Sequence, residues 1–304
     1  MSKLIFNVFR NIFAVIGVIA TVLVIGFLIF VARSPMFSSH EDDYLLMQAR
    51  LDTLRATAPY VKDTSSIRIR IIQDEARAKE IREYFQLDTL YAPEADTWAK
   101  ALAIGKFVAR NIPHDNQKEW PESVNAIGLW EYTKTVAPAF NCRLHAILTF
   151  ELMLAAGLDA KYITCMPQDA EDNDCHVVNE VWLPELNKWA MIDTDMGGHY
   201  VSGIDGTPLS LQEMREHFIS GEKMAIHPGF TRGSTKKDWY YSYMAKNTYW
   251  FACWGELSYY QEDYSQVNVI RNHYYQLVPA GFEPFGNDQG PTSDPTSFWA
   301  PPVH

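Results

Sequence analysis

The chain has 304 residues, 47% of them hydrophobic and 21% charged, with a formal net charge of −11. This is an ordinary globular composition with room for one large domain or two small ones. Residues 1–33 hold Lys3, Arg10 and Arg33 and no acid, so the remainder carries −14 (−11 less +3). A body that acidic, with no basic cluster, is repelled by phosphate backbones, which excludes nucleic acid as a partner.

Residues 12–32 (IFAVIGVIATVLVIGFLIFVA) run without a charge, and a helix needs about 20 apolar residues to cross a hydrocarbon core. A cleaved signal has a shorter apolar core, about 7–15 residues, and ends in small residues. Here the run closes on Phe30-Val31-Ala32-Arg33. The spacing predicts an uncleaved membrane anchor over residues 1–33, crossing the bilayer through residues 12–32. Lys3 and Arg10 precede the run and Arg33 follows it. That slight basic bias sets the amino terminus inside and the remainder outside the cytoplasm, a single pass of the cell membrane.

Beyond the anchor, Glu41–Ala58 repeats apolar residues at helical spacing and stops at Pro59, a juxtamembrane helix within residues 34–60. Ser66–Ile72 (SIRIRII) alternates as a half-exposed strand does. Asp74–Phe85 and Glu94–Asn111 read as helices, Pro113–Ser123 as a loop, and Ala126–Tyr132 as a short helix. Asn141–Ala156 is almost wholly apolar after its first turn and closes at Gly157, which suits a helix in the middle of a domain. Strand-like runs follow at Ala160–Met166, His176–Leu183 and Lys188–Asp193, with an acidic loop, Gln168–Asp174, between the first two. Leu209–Ile219 reads as a helix, the aromatic-rich Asp238–Trp254 as helical core, and Val267–Val278 alternates as strands do. From Glu283 the chain is rich in Pro, Gly, Asp and Ser and reads as a loose tail, residues 283–304. A buried helix followed by a small antiparallel sheet, in a helical surround, makes residues 61–282 an α+β domain.

Four cysteines, Cys142, Cys165, Cys175 and Cys253, are too few to scaffold a chain of this length. Cys142 opens the apolar helix behind Asn141, a good N-cap residue. A thiolate is favoured at the positive end of a helix and beside an imidazolium, although a lone cysteine is more often a small buried hydrophobe. His176 opens one strand and Asp193 ends the next, with Pro184-Glu185-Leu186-Asn187 as the turn. Pairing Leu183 with Lys188 sets Asp193 opposite Val178, two residues from His176, so imidazole and carboxylate become diagonal neighbours on one face. A loop of odd length would put them on different faces. A carboxylate on one ring nitrogen leaves the other free to take a thiol proton.

Cys142-x-x-His145 and Cys175-His176 offer metal-type donor atoms, but no CxxC, HExxH or second CxxH accompanies them. No metal is therefore expected, and His145 reads as a packed helix residue near the site. No phosphate-binding glycine loop is present, and no cofactor is expected. Cys165 and Cys175 bracket the acidic loop and fit either a disulfide outside the cytoplasm or two reduced thiols. Cys253, among Trp250, Phe251 and Trp254, reads as core.

The segments FNCRLHAILTFELMLAAGLDAKYITC and CHVVNEVWLPELNKWAMIDTD resemble the transglutaminase-like superfamily, relatives of papain in fold. KALAIGKFVARNIPHD resembles the helix that precedes the catalytic helix in those proteins. The likeness is strong over residues 95–220. It implies a papain-like core with Cys142 as nucleophile, His176 as base and Asp193 orienting that base. Many members carry Asp-Pro after the last strand where this chain has Asp193-Thr194-Asp195, so Asp195 stands as a substitute for Asp193. The implied activity is thiol-dependent acyl transfer or amide hydrolysis on a protein or peptide substrate. The alternative, from another class, is a non-catalytic module binding peptide or cell-wall polymer at the membrane. The residues say nothing of oligomeric state.

Overall fold

The computed structural model describes residues 13–26, 35–63, 67–117, 119–228, 236–259, 274–284 and 291–304. Tertiary contacts divide the chain into two units, Met1–Ala49 and Arg50–His304. Helix α1 (residues 13–26) presents exposed side chains. Among the described residues no helix is long and apolar enough to cross a membrane. The rest of the expected span, residues 12 and 27–32, lies outside the described residues. Helix α2 (Pro35–Arg55) begins earlier than the periodicity from Glu41 predicts. The expected strand at Ser66–Ile72 is only β1 (Arg70–Ile71), its first residue, Ser66, lying outside the described residues.

The helices start where short polar side chains satisfy amides that lack a helical acceptor. Asp74 caps α3 (Glu75–Phe85), Asp96 caps α4 (Thr97–Asn111) and Asn125 caps α5 (Ala126–Thr135). Asn141 caps α6 (Cys142–Ala155), its side chain accepting from Leu144 N at 3.3 Å. Every residue of α6 from Leu144 to Ala155 is buried, and each leucine so enclosed contributes roughly 1.5–3 kcal/mol. Such complete burial is possible because α3, α4, α5 and two strands all pack against this one helix. Gly157, at φ +75, closes it, as the sequence suggests.

Four strands follow: β2 (Ala160–Met166), β3 (His176–Leu183), β4 (Lys188–Asp193) and β5 (His199–Gly203). Then come α7 (Leu211–Ser220), β6 (Met224–Pro228), α8 (Lys237–Asn247), β7 (Trp250–Trp254) and β8 (Glu256–Leu257). The last strands are β9 (Tyr274–Leu277) and β10 (Pro291–Thr292). Eight of them form one sheet in the order β10-β9-β7-β2-β3-β4-β5-β6, while β1 pairs with β8. The β10–β9 pair is parallel and the other ladders of this sheet are antiparallel. The α+β expectation thus describes the architecture, with a sheet wider than the three consecutive strands read from sequence; the alternating run Val267–Val278 supplies β9, its residues 267–273 lying outside the described residues.

Two further expectations differ from the structure. The aromatic stretch is helical only to Asn247; Trp250–Trp254 is instead a strand between β2 and β9. A short apolar run enclosed on both faces has no polar period, so its type depends on its neighbours. The carboxyl-terminal segment packs over residues 291–304. Thr292, Asp294, Phe298 and Trp299 are buried, Ala300 O accepts from Trp189 Nε1 at 3.0 Å, and Val303 bridges to Arg70. Here the Pro- and Ser-rich composition makes turns, and two aromatic anchors hold them. Residues 285–290 of that segment lie outside the described residues.

Candidate active site

Cys142 stands at the first position of α6 and is half-buried. The chain before it is tied to the loop after α4. His114 bridges to Phe140, Asp115 N donates to Phe140 O at 3.2 Å, and Gln117 Oε1 accepts from Asn141 N at 3.2 Å. The helix start is therefore fixed from two directions.

The β3–β4 ladder pairs Leu183 with Lys188 and Asn179 with Ile192, the register read from the four-residue turn. Asn187 takes φ 51 in that turn, a left-handed conformation that asparagine tolerates. One step further along the ladder Asp193 lies diagonal to His176. Nε2 of His176 is 2.6 Å from Asp193 Oδ2, and both residues are fully buried. The Asp193 carboxylate is held from two more sides. Tyr240 donates its hydroxyl to Oδ2 at 2.9 Å, and the Asp195 amide donates to Oδ1 at 2.9 Å. Tyr240 is itself buried and stacked on His199, with ring centroids 4.0 Å apart.

Burial by itself would push the His176 pKa down. The charge and hydrogen bond of Asp193, and then the Cys142 thiol, outweigh it and hold the imidazole well above its ordinary value. The second ring nitrogen, Nδ1, is buried with no geometric hydrogen-bond partner. One donor atom from each of Cys142, His176 and Asp195 lies within 4.8 Å of the other two. The structure thus sets His176 near Cys142 and Asp195 and bonds the same imidazole to Asp193.

Asp195 does not take the place of Asp193. Its buried carboxylate faces His114 Nδ1 at 2.9 Å and His145 Nδ1 at 3.3 Å. Burial would raise its pKa, but the His114 hydrogen bond, followed by the nearby His145 and His176 rings, lowers it. His114 is raised in turn, first by that same hydrogen bond. His145 is packed as expected, with Nε2 3.0 Å from Ile112 O and its ring edge-on to Phe140. His114 and Tyr240 had no part assigned from sequence. His114 lies next to the end of the helix-and-loop segment already likened to the family, which is the signal that existed; Tyr240, one of many aromatic residues in its stretch, carried none.

An aromatic wall borders the imidazole. Tyr243 meets the His176 ring edge-on at 5.2 Å, and Trp239 stacks on Tyr243 at 4.7 Å. The acidic loop is fastened beside this wall, with Tyr243 donating to Asp174 Oδ1 at 3.0 Å and Lys246 to Asp172 Oδ2 at 2.7 Å. Cys165 and Cys175 are both free thiols. Cys165 lies directly opposite His176 in the ladder, so strand alternation turns the preceding residue, Cys175, toward the other face. Cys253 is buried, in keeping with its reading as core. Among the described residues, Cys142, His176 and Asp195 form the grouping able to hold a metal ion. The four-residue set weighed from sequence does not assemble, since His145 faces Asp195 and backbone carbonyls.

An α+β scaffold that sets a cysteine at the start of a buried helix against a histidine–aspartate pair on a hairpin is the framework of a thiol-bearing site. Residues 86–194 match the model of the transglutaminase-like superfamily. Among solved structures, a candidate cysteine protease from Cytophaga hutchinsonii is similar at 16% identity, with 52% of this chain and 50% of that chain covered and a TM-score of 0.32. A candidate protease from Parabacteroides distasonis is similar at 12% identity, with 47% of this chain and 26% of that one covered and a TM-score of 0.26. The chain therefore spans half or less of the length of these two proteins. No curated protein matches it.

Proposed function

We propose that this protein is a cysteine enzyme of acyl transfer or amide hydrolysis on protein or peptide substrates. In this reading Cys142 is the nucleophile, His176 its base and Asp193 the residue that orients the base. The observation that carries it is the His176 ring: Nε2 is engaged by Asp193 at 2.6 Å, while Nδ1 is left buried without a geometric partner beside the Cys142 thiol. An imidazole held in that way takes the thiol proton at Nδ1, and the positive end of α6 favours the resulting thiolate. The thiolate attacks a carboxamide or peptide carbonyl, and backbone amides at the start of α6 are the natural donors to the oxyanion. His176 returns its proton to the leaving nitrogen as the C–N bond breaks, giving ammonia or an amine and an acyl-enzyme. Water then releases an acid, or an amine takes the acyl group as an amide.

A panel of glutamine-based and peptide-based acylating probes tests this reading. At least one is expected to form an adduct with Cys142 in the native protein and with no other cysteine, and Cys142→Ser is expected to abolish it. Failure of every probe to modify a folded protein whose Cys142 is accessible to a small alkylator would sink the enzyme reading.

The uncharged run at residues 12–32 supports placement in the cell membrane, with the Cys142-bearing unit outside the cytoplasm. The full chain is expected to sediment with membranes and to leave them in detergent but not in alkaline carbonate. Release by carbonate would remove the anchor from the proposal and leave the chemistry standing.

A further inference from the structure

The residue after Cys142 is an arginine, and among the described residues its guanidinium has no acidic partner. Arg143 is half-buried in the first turn of α6. A guanidinium offers five N–H donors in a planar fork. Among the described residues Arg143 Nη2 donates to Thr164 Oγ1 at a long 3.4 Å, and the guanidinium also meets the Tyr274 hydroxyl. That hydroxyl donates to the same Thr164 oxygen at 3.0 Å. No carboxylate lies within ion-pair distance of it among the described residues. Several other cations do have one: Arg70 pairs with Glu256, Arg77 with Glu80, Arg82 with Glu75 and the fully buried Lys161 with Glu180, whereas Arg50 and Arg215 bond to Ser242 and to Thr248 O. Its surroundings are the phenols of Tyr162 and Tyr274 and the thiols of Cys142 and Cys175, which together hold its pKa above the ordinary value against the opposing effect of burial.

A half-buried guanidinium with no carboxylate partner among the described residues keeps donors available to an anion from outside. A carboxylate matches the fork with two parallel hydrogen bonds. The helix start adds positive potential at the same point.

We propose that Arg143 receives a carboxylate of the substrate beside the Cys142 thiol, so that the site selects acyl donors bearing a negative charge close to the reacting carbonyl. This rests on Cys142 being the reactive thiol.

Iodoacetate and iodoacetamide test it. Both are attacked at the same carbon by the same thiolate, with iodide leaving, and they differ in a carboxylate against a neutral amide. The ratio of their rates at Cys142 therefore cancels any change in the thiolate population. An imidazolium at His176 also attracts an anion, so the deciding quantity is the change in the ratio on substitution. Arg143→Gln is expected to lower the iodoacetate-to-iodoacetamide ratio about tenfold, the scale of one lost charge-assisted pair, and Arg143→Lys to lower it less. A ratio within about twofold of wild type in a folded Arg143→Gln protein overturns the proposal and leaves Cys142 as nucleophile. Slow reaction of Cys142 with both reagents in the wild type overturns the nucleophile and this inference together. Acyl-probe pairs with a free or amidated carboxyl terminus, and with Glu or Gln beside the reacting residue, then separate a terminal from a side-chain carboxylate. Preference for neither acidic member also overturns it.

Discussion

Dilute iodoacetamide is expected to alkylate Cys142 about a hundredfold or more faster than Cys175, and His176→Ala to remove most of that advantage. The comparison is between two partly accessible thiols of one protein, since Cys142 and Cys175 are both half-buried. Cys165 and Cys253 are buried and serve as the unreactive baseline. What separates the two accessible thiols is their setting. Burial, and secondarily the neighbouring Cys142, push the Cys175 pKa up, so it stays protonated near neutrality. Cys142 sits instead at the positive end of α6, with a strong proton acceptor in His176. Removing the imidazole leaves the helix start in place but takes away the acceptor, which is why the loss should be large. Peptide mapping after timed quenching reads each cysteine separately. Equal, slow labelling of Cys142 and Cys175 in the wild type would favour a binding module over an enzyme.

The second large effect is expected at Asp193. Asp193→Asn should slow probe acylation about a hundredfold or more, because an amide neither charges the pair nor secures the ring tautomer. It should also move the His176 titration, followed by imidazole NMR, to lower pH. Burial is the largest single influence on that group and acts downward; Asp193 is the main force opposing it. The sign for stability follows from the same shift. The His176 pKa is raised in the folded state, so its contribution is fully present below the unfolded value of about 6.5 and is lost as pH rises through the higher folded value. Asp193→Asn should therefore destabilise the fold most at acid-to-neutral pH, with the penalty shrinking in alkali. Tyr240→Phe provides a graded companion. It removes the 2.9 Å donor to Oδ2 and leaves the charge, so about 1 kcal/mol of stability and a few-fold in rate are at stake. An Asp193→Asn protein with an unmoved His176 titration would show that the carboxylate does not govern this ring.

Much of the site was legible because it depends on local periodicity. Asn141 before an apolar run, closed by Gly157, defined α6 and put Cys142 at its first turn. A four-residue turn, one of those the sequence allows, and the two-residue period of strands align His176 with Asp193. What surrounds that pair was not legible. His114 reaches Asp195 across 81 positions of sequence, and Tyr240 reaches Asp193 across 47. No spacing rule links residues that far apart, because their meeting depends on how α4, α8 and the sheet pack. The strand at Trp250–Trp254 was obscured for a related reason: buried on both sides, it shows no alternation.

The sequence by itself determined the buried helix and allowed the hairpin register that sets His176 near Asp193, since both follow from hydrogen bonding and side-chain direction within a few residues. Only the tertiary structure decided that Asp193 rather than Asp195 is bonded to His176, that Tyr240 supports that carboxylate, and that Arg143 has no acidic partner among the described residues. Those outcomes turn on a few ångströms between distant segments, and close packing in the assembled domain is what sets distances on that scale.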